Sequence, residues 1–421
     1  MIAYQTCNAV TAEYSTGVEL EYSDNSLLTN DNELDDVRQV IMLGFSLEEK
    51  SSYIDTEISS LIEYDDYRND TFDDEFLGYL NAESTFTIRP SSFYWVIEDY
   101  YSQVQRDSLL PTTPDNRINT NVFSTGPNFK FNVGPANYID TEIRYADYKF
   151  DDRNAADTAD NDSDRTSVLF SWVYGLNSTT DISLNSEYQD VDFKEFTDSD
   201  FIRNDLYIRY KKTLGRSYYQ IDLGGSNFKK EVGESLDGFL GRIVLRNQFR
   251  QQSYFQLDAS SQYTDTSQDL INQAQQNQQL ELVENRLSGE LFYDVRIEPV
   301  YHLGTSVNSY EIQGLYREED YDVILQDRRS KGLRLNYGYT HSADFSLNSY
   351  LQYREYNYTD ILQIDKETVF SISSNKRISR DFSFILEYSY VEQDSNVETA
   401  KYDNNRILFS FFYGRSPRSY R

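Results

Sequence analysis

The amino-acid sequence predicts a single antiparallel β-barrel that spans a membrane, and three observations support this fold class. Polar and apolar residues alternate with a period of two along many segments, as in strands with one wet and one apolar face. These segments run for roughly 10–14 residues, longer than an ordinary strand of about 5–6 and sufficient for a tilted membrane strand of about 9–11. Short and long polar connections alternate between them, as they do in outer-membrane barrels.

The alternation is clearest in residues 382–390, where Ser383, Glu387 and Ser389 separate aromatic and aliphatic side chains at the even positions. Residues 182–188 and 333–339 repeat the pattern. Tyrosine is abundant, with 37 residues, and often stands at the ends of the apolar faces, where the aromatic girdles of a membrane barrel would lie. Examples are Tyr22, Tyr64, Tyr145, Tyr188, Tyr263 and Tyr353.

Composition excludes several other classes. The net charge of -31 and mean hydropathy of -0.68 would be typical of disorder, but 15% of the residues are aromatic, which disordered chains are not. The chain has no apolar run of about 18 residues, so a transmembrane helix is excluded. The acidic balance argues against nucleic acid as a partner. A single cysteine, Cys7, excludes an intramolecular disulfide and a cysteine metal cluster.

The connections predict the organisation of the chain. About 20 strands, within a range of 16–20, leave both termini on the periplasmic side, with short periplasmic turns and long acidic extracellular loops. We predict a short N-terminal extension at 1–12, the barrel at 13–414 and a short tail at 415–421. Short turns are predicted at 48–51, 89–92, 134–136, 177–180, 214–216, 250–252, 297–300, 341–343 and 376–379. Long loops are predicted at 65–74, 102–120, 150–165, 264–279, 318–330 and 394–405.

The two chain ends bear on export. No basic segment followed by an apolar one precedes Ala12, so we expect the sequence to begin near a mature N-terminus or at a late start. The aromatic-rich segment 406–413 resembles the last-strand signal of barrel assembly, although residues 414–421 continue past it. This predicts the barrel assembly machinery as a partner; the alternative is one more lipid-facing strand.

A family resemblance rests on two segments. GVELEYSDNSLL (17–28), followed after an acidic spacer by MLGFSLEEKSSYIDTEI (42–58), resembles the start of the β-barrel porin 2 family. That family includes outer-membrane proteins encoded with exopolysaccharide and PEP-CTERM loci. The resemblance implies a barrel surrounded by outer-membrane lipid and lipopolysaccharide, and a role connected with exopolysaccharide and its secretion proteins. It transfers no catalytic residue.

The polar face of each strand should line the lumen, and its charge changes along the chain. The predicted lumen residues of the first half are acidic: Glu19, Glu21, Asp55, Glu57, Asp140 and Glu142. Those of the second half are basic: Arg203, Arg209, Lys211, Arg242, Arg246, Arg286, Arg334 and Arg354. One hypothesis is a field across the channel; the alternative is that these charges pair and fill the lumen. Inward aromatic residues are predicted to stack on sugars or, alternatively, to pack: Tyr207, Phe292 and Tyr350.

Chemistry other than transport has few candidates. His302 and His341 are the only histidines, each beside a predicted turn, and no G-x-S-x-G motif accompanies them, so we predict no catalytic residue and no cofactor. Asp160, Asp162 and Asp164 alternate as calcium ligands do. Arg165 and Ser171 replace the glycine and glutamate of an EF-hand loop, so solvated loop carboxylates are the alternative.

These patterns leave three functions open. The first is a porin-like channel that serves exopolysaccharide secretion or the passage of small polar solutes. The second is a structural or adhesive barrel whose acidic loops bind surface polysaccharide or calcium. The third is an outer-membrane hydrolase, which the scarcity of histidine disfavours.

Overall fold

The computed structural model describes residues 10–107, 109–151, 162–194, 199–265, 267–268, 291–321 and 327–416. These residues contain twenty β-strands and short 3-10 turns, and none of their helices is long and apolar enough to cross a membrane. The strands are β1 (Val10–Ser23), β2 (Asp36–Lys50), β3 (Ile54–Tyr67), β4 (Glu75–Arg89), β5 (Phe93–Gln105), β6 (Arg117–Asn132), β7 (Asn137–Asp151), β8 (Ser163–Asn177), β9 (Thr180–Phe193), β10 (Phe201–Leu214), β11 (Ser217–Lys230), β12 (Leu236–Arg250), β13 (Ser253–Asp265), β14 (Leu291–Gly304), β15 (Asn308–Tyr321), β16 (Arg328–Ser342), β17 (Phe345–Tyr358), β18 (Gln363–Arg377), β19 (Phe382–Ser395) and β20 (Tyr402–Tyr413).

The strands close into one antiparallel barrel. Each strand pairs with the next along the chain, and β20 pairs with β1 from Thr16↔Tyr413 to Ser23↔Arg406. Closure leaves no free sheet edge, so every ladder hydrogen bond is made inside the barrel, as a bilayer requires. The predicted fold class and the predicted number of about 20 strands are therefore confirmed.

The connections alternate as expected, with one prediction wrong. The predicted turn at 297–300 lies inside β14, and the chain turns at 305–307 instead. Pro299 explains the error. Its missing N–H interrupts the ladder to β15 between Ile297↔Tyr316 and Val300↔Gln313, but the strand continues past it. At the N-terminus, β1 begins at Val10, inside the extension predicted at 1–12.

Apolar side chains cover the outside of the barrel and polar ones are buried inside. On β1, for example, Val18, Leu20 and Tyr22 are exposed, whereas Ser15 and Glu19, on the other face of the strand, are fully buried. The last strands repeat this, with exposed Leu386, Ile407 and Phe409. An apolar exterior is stable only against lipid, so the strands span a bilayer.

Candidate functional site in the lumen

Register and alternation place every described member of the predicted lumen set on the inner face. For example, Glu21 is directly paired with Arg38, and Arg209 with Asp222, on neighbouring strands. Arg286 lies outside the described residues. The inner wall is therefore charged on both halves of the barrel, as the sequence predicts, but the partners of these charges differ from one part of the wall to another.

Four glutamates form a row on the inner wall of β2 to β5. Glu48 is paired with Glu57, Glu57 with Glu83, and Glu83 with Glu98. The Tyr100 hydroxyl donates a 2.9 Å hydrogen bond to Glu83, and Glu48 lies 2.8 Å from Lys50 at the open end. Like charges directly opposite each other destabilise a sheet, so this row, here called the glutamate row, does not serve stability. Only Glu57 was predicted, because register brings the other three beside it.

Other acids of this half are neutralised. Arg38 lies 3.5 Å from Glu19, 3.1 Å from Glu21 and 2.8 Å from Asp65. Arg144 lies 3.7 Å from Glu142. The predicted Glu19, Glu21 and Glu142 therefore belong to ion clusters, whereas Asp55 and Glu57 are exposed near the short turns.

Several bases of the second half are neutralised as well. Arg203 binds Asp205 at 2.7 Å, and Arg209 binds Asp222 at 2.8 Å. Arg354 donates a 2.9 Å hydrogen bond to the Tyr356 hydroxyl. The two ion pairs on β10 and β11 are the pairing that the alternative hypothesis expects, whereas the hydroxyl partner of Arg354 orients its charge without neutralising it.

Four other inward cations lie over tyrosine rings and have no carboxylate partner among the described residues. Their distances to the ring centroids are 5.7 Å for Lys211 over Tyr218, 5.8 Å for Arg242 over Tyr207, 5.0 Å for Arg246 over Tyr254 and 4.1 Å for Arg334 over Tyr350. A cation over an aromatic face is attracted by the ring quadrupole, which orients the cation without neutralising its charge. We call these four residues the tyrosine-backed cations.

The glutamate row and the tyrosine-backed cations occupy opposite sides of the barrel. The row spans β2 to β5, and the cations lie on β10, β12 and β16. In a closed ring of twenty strands, β13 lies opposite β3, ten strands away in either direction. The acidic charges of the glutamate row and the positive charges of the tyrosine-backed cations therefore face each other across the lumen.

The three predicted stacking residues all face the lumen, but cations cover their rings. Arg209 and Arg242 lie over Tyr207, Arg317 lies over Phe292, and Arg334 over Tyr350. Tyr207 is only 2% exposed and Phe292 only 1%. This packing favours the alternative that the rings support guanidinium groups, and sugar stacking on them stays a prediction.

The two histidines have different positions. His302 lies inside β14, not beside a turn as predicted, because the predicted turn at 297–300 was misplaced. Its Nδ1 is 3.1 Å from Glu311 Oε2, and its ring stacks on Tyr254 at 5.1 Å. His341 lies near the turn at 343–344, with Nδ1 3.1 Å from the Tyr339 hydroxyl. Neither histidine has a serine among these contacts.

The candidate metal ligands do not converge within the described chain. Asp160 lies outside the described residues, and Asp162 accepts a 2.8 Å hydrogen bond from the Phe150 backbone N–H. Asp164 lies on the outer face of β8, where the Tyr145 hydroxyl donates to it at 2.8 Å. No group of three or more metal-ligating side chains occurs in the described part of the chain.

A buried ion pair crosses the upper lumen. Arg165 on β8 donates two hydrogen bonds, of 2.6 and 3.0 Å, to the carboxylate of Asp265 at the end of β13, and each side chain is 2% exposed. The ladder between β12 and β13 ends at Gly241↔Ser261, so the upper end of β13 is free to bend inward. This pair could not be predicted from the sequence, because 100 residues and five strands separate its members.

Comparisons with known proteins find similar solved structures but no family. No protein-family model matches the chain, and no curated protein is significantly similar to it. Solved structures with the same fold include the FrpB iron transporter from Neisseria meningitidis (F5-1 variant), with 9% identity, 95% of this chain and 82% of that chain covered, and a TM-score of 0.48. They also include the outer membrane protein OpdK from Pseudomonas aeruginosa (9% identity, 96% and 98% covered, TM-score 0.43) and OccK2 from the same organism in complex with glucuronate (8%, 96% and 98%, 0.41).

At these identities the likeness concerns the fold alone. The closed barrel and its apolar exterior are what define the class: this chain is an outer-membrane β-barrel.

Proposed function

We propose that this barrel is a porin-like channel for small polar solutes, in which opposed wall charges act on the solute. The observation that carries the proposal is the position of the tyrosine-backed cations opposite the glutamate row. Charges that only stabilise a lumen are paired with each other, as Arg203 and Asp205 are. Charges without an opposite partner line the path and select what passes along it.

The tyrosine rings explain how the cations remain available. A guanidinium on an aromatic face keeps its charge and can still donate hydrogen bonds in its plane. Arg242 donates to Gln262 at 2.7 Å, and Arg334 to Asn336 at 2.9 Å, so both groups are oriented by neutral partners. A solute with a cationic and an anionic end would therefore align across the lumen.

Single-channel conductance of the refolded protein in a planar bilayer tests this proposal. We expect steady conductance steps that zwitterionic amino acids reduce more than neutral polyols of the same size. A folded, heat-modifiable barrel that gives no steps would reject the channel. Steps that both solutes reduce equally would keep the channel and reject the role of the opposed charges.

A link to exopolysaccharide secretion is a finer proposal, and the resemblance of residues 17–28 and 42–58 supports it. The expected result is that deletion of the gene lowers surface polysaccharide, and that re-expression of the wild-type chain restores it. Unchanged polysaccharide in the deletion strain would remove this role and leave the channel for small solutes.

A further inference from the structure

A polar cavity of about 100 Å³ lies at the extracellular end of β1, β2, β3 and β20, beneath the loop at 106–116. It is on the side of the barrel that carries the glutamate row, near the outer ends of the strands and apart from the tyrosine-backed cations. The residues that line it and enter the argument are Glu21, Asp36, Tyr67, Phe72, Thr112, Thr113 and Arg406.

The loop that covers the cavity is held by its own hydrogen bonds. Asn116, only 3% exposed, donates to the carbonyl oxygens of Asp107 at 2.8 Å, Leu110 at 3.2 Å and Pro111 at 3.0 Å. Its side-chain Oδ1 accepts from the Asp107 N–H at 2.9 Å. Thr112 and Thr113, which lie between these anchors, are therefore fixed over the cavity before any ligand arrives.

Some polar groups of the lining are already engaged. Glu21 accepts a 3.1 Å hydrogen bond from Arg38. Asp36 accepts from the backbone N–H groups of Val37 at 2.6 Å, Asn69 at 2.9 Å and Thr71 at 3.3 Å, which ties the neighbouring loop to the rim. These contacts shape the cavity but still leave lone pairs on the carboxylate oxygens.

One buried polar atom of the lining has no hydrogen-bond partner: the Nε of Arg406. An unmade hydrogen bond at a buried group costs free energy, so this atom favours an occupant that accepts from it. Thr113 is half-buried and Thr112 is exposed at the rim, so their hydroxyls can bond the same occupant in place of water.

The balance of groups indicates the class of occupant. Donors and acceptors are mixed, and Tyr67 and Phe72 form an aromatic side at 5.3 Å with an edge-on geometry. Three arginines line the cavity, Arg38, Arg117 and Arg406, with two acids, Glu21 and Asp36. Glu19 and Asp65 also contact Arg38, and Glu75 lies 3.6 Å from Arg117, so five acids surround three cations, which disfavours an anion. Sugar hydroxyls both donate and accept, and the carbon face of a sugar packs on aromatic rings. We propose that this cavity binds one hydroxyl-rich end of a neutral sugar.

The cavity volume agrees with partial insertion. An enclosed cavity of about 150 Å³ holds one benzene molecule, so about 100 Å³ accepts part of a hexose while the remainder stays outside. The occupant is either a free sugar or the end of a neutral glycan chain, since the chemistry recognised is the same. The proposal is independent of whether the barrel conducts.

Saturation-transfer NMR on the refolded full-length protein in detergent tests this site, with glucose, galactose and mannose as probes and glucuronate for comparison. We expect at least one neutral hexose to bind with a Kd of about 1 mM and glucuronate to bind more weakly. Arg406→Met and, separately, Thr113→Val should each weaken hexose binding at least about tenfold, which corresponds to about 1.4 kcal/mol. Thr113→Val changes one loop hydroxyl and keeps the barrel ladder intact.

Arg329→Met is the matched control, because it removes an exposed arginine from the outer face of β16 and should leave hexose binding unchanged. No hexose binding by the wild-type protein, unchanged binding in both cavity variants, or equal loss in Arg329→Met would each overturn the proposal. If the site holds, maltotriose distinguishes the two sources. Binding at least as tight as that of glucose indicates a chain end, and weaker binding indicates a free sugar.

Discussion

Charged side chains are buried and paired in the upper lumen, whereas many of those on the lumen wall below it are hydrated and form no salt bridge. At the top, Arg165 and Asp265 form a buried pair with two hydrogen bonds, and water has little access to either group. Along the wall, the glutamate row and the tyrosine-backed cations form no salt bridge among the described residues, apart from that of Glu48 with the exposed Lys50, although Lys211 faces Asp181 and Arg242 faces Asp222 in register. A buried charge must be paired, whereas a hydrated one can remain available to a solute. The comparison separates charges that hold the barrel's shape from charges that act on what enters it.

Removing one member of the buried pair should have the largest effect on stability. Arg165→Met leaves the buried Asp265 carboxylate without its cationic partner, with only the backbone N–H groups of Ser267 and Gln268 still donating to it, and we expect the free energy of unfolding to fall by about 3–5 kcal/mol. The midpoint and slope of urea unfolding in detergent measure this loss. In the double variant Arg165→Met with Asp265→Leu, most of the loss should be recovered. A double variant as unstable as Arg165→Met would show that the pair's charge is not the cause.

Neutralising the glutamate row should have a smaller effect of opposite sign. In Glu83→Gln the central repulsion with Glu57 and Glu98 is relieved, so the free energy of unfolding should rise by about 0.2–1 kcal/mol. Since screening weakens repulsion between hydrated charges, the gain should shrink in about 1 M salt. Ser60→Ala, on the outer face of the neighbouring strand β3, is the control. A loss of stability in Glu83→Gln would mean that Glu83 is held by contacts rather than strained by its neighbours.

A small loss of stability, similar in size to the gain in Glu83→Gln, is expected at a tyrosine ring. Tyr350→Leu removes the aromatic face 4.1 Å from the Arg334 guanidinium, which should cost about 0.5–1 kcal/mol. The same change should broaden the distribution of open-channel currents, because Arg334 loses the ring that orients it. Tyr337→Leu, on the outer face, should leave the currents unchanged. Identical current distributions in all three proteins would show that the ring does not position the cation.

The sequence predicted which face of the barrel a side chain lies on better than it predicted which side chains lie next to each other. Alternation alone places Glu57 and Arg242 on the inner wall, since a period of two is a local property. Glu48, Glu83 and Glu98 join Glu57 only through register, which depends on the exact turns between strands. The misplaced turn near Pro299 shows how one residue without an N–H can imitate a strand end.

Contacts across the lumen could not be predicted from the sequence. In the sequence, Arg165 stands where a calcium-binding loop would have a glycine, and Asp265 falls in the predicted long loop at 264–279. Their pairing follows from the inward bend of β13, which no local pattern records. The same applies to the cavity under the loop at 106–116, which five strands and three loops build together.

Ion selectivity of three proteins in the same planar bilayer tests the central claim most directly. Arg242→Met with Arg246→Met and Arg334→Met removes three tyrosine-backed cations, and Glu57→Gln with Glu83→Gln and Glu98→Gln neutralises the row. Under a salt gradient, the first variant should shift the reversal potential toward cation selectivity, the second toward anion selectivity, and the exterior control Arg329→Gln should not shift it. Reversal potentials that stay at the wild-type value in both triple variants would contradict the account, because the opposed charges would then not face the conducting path.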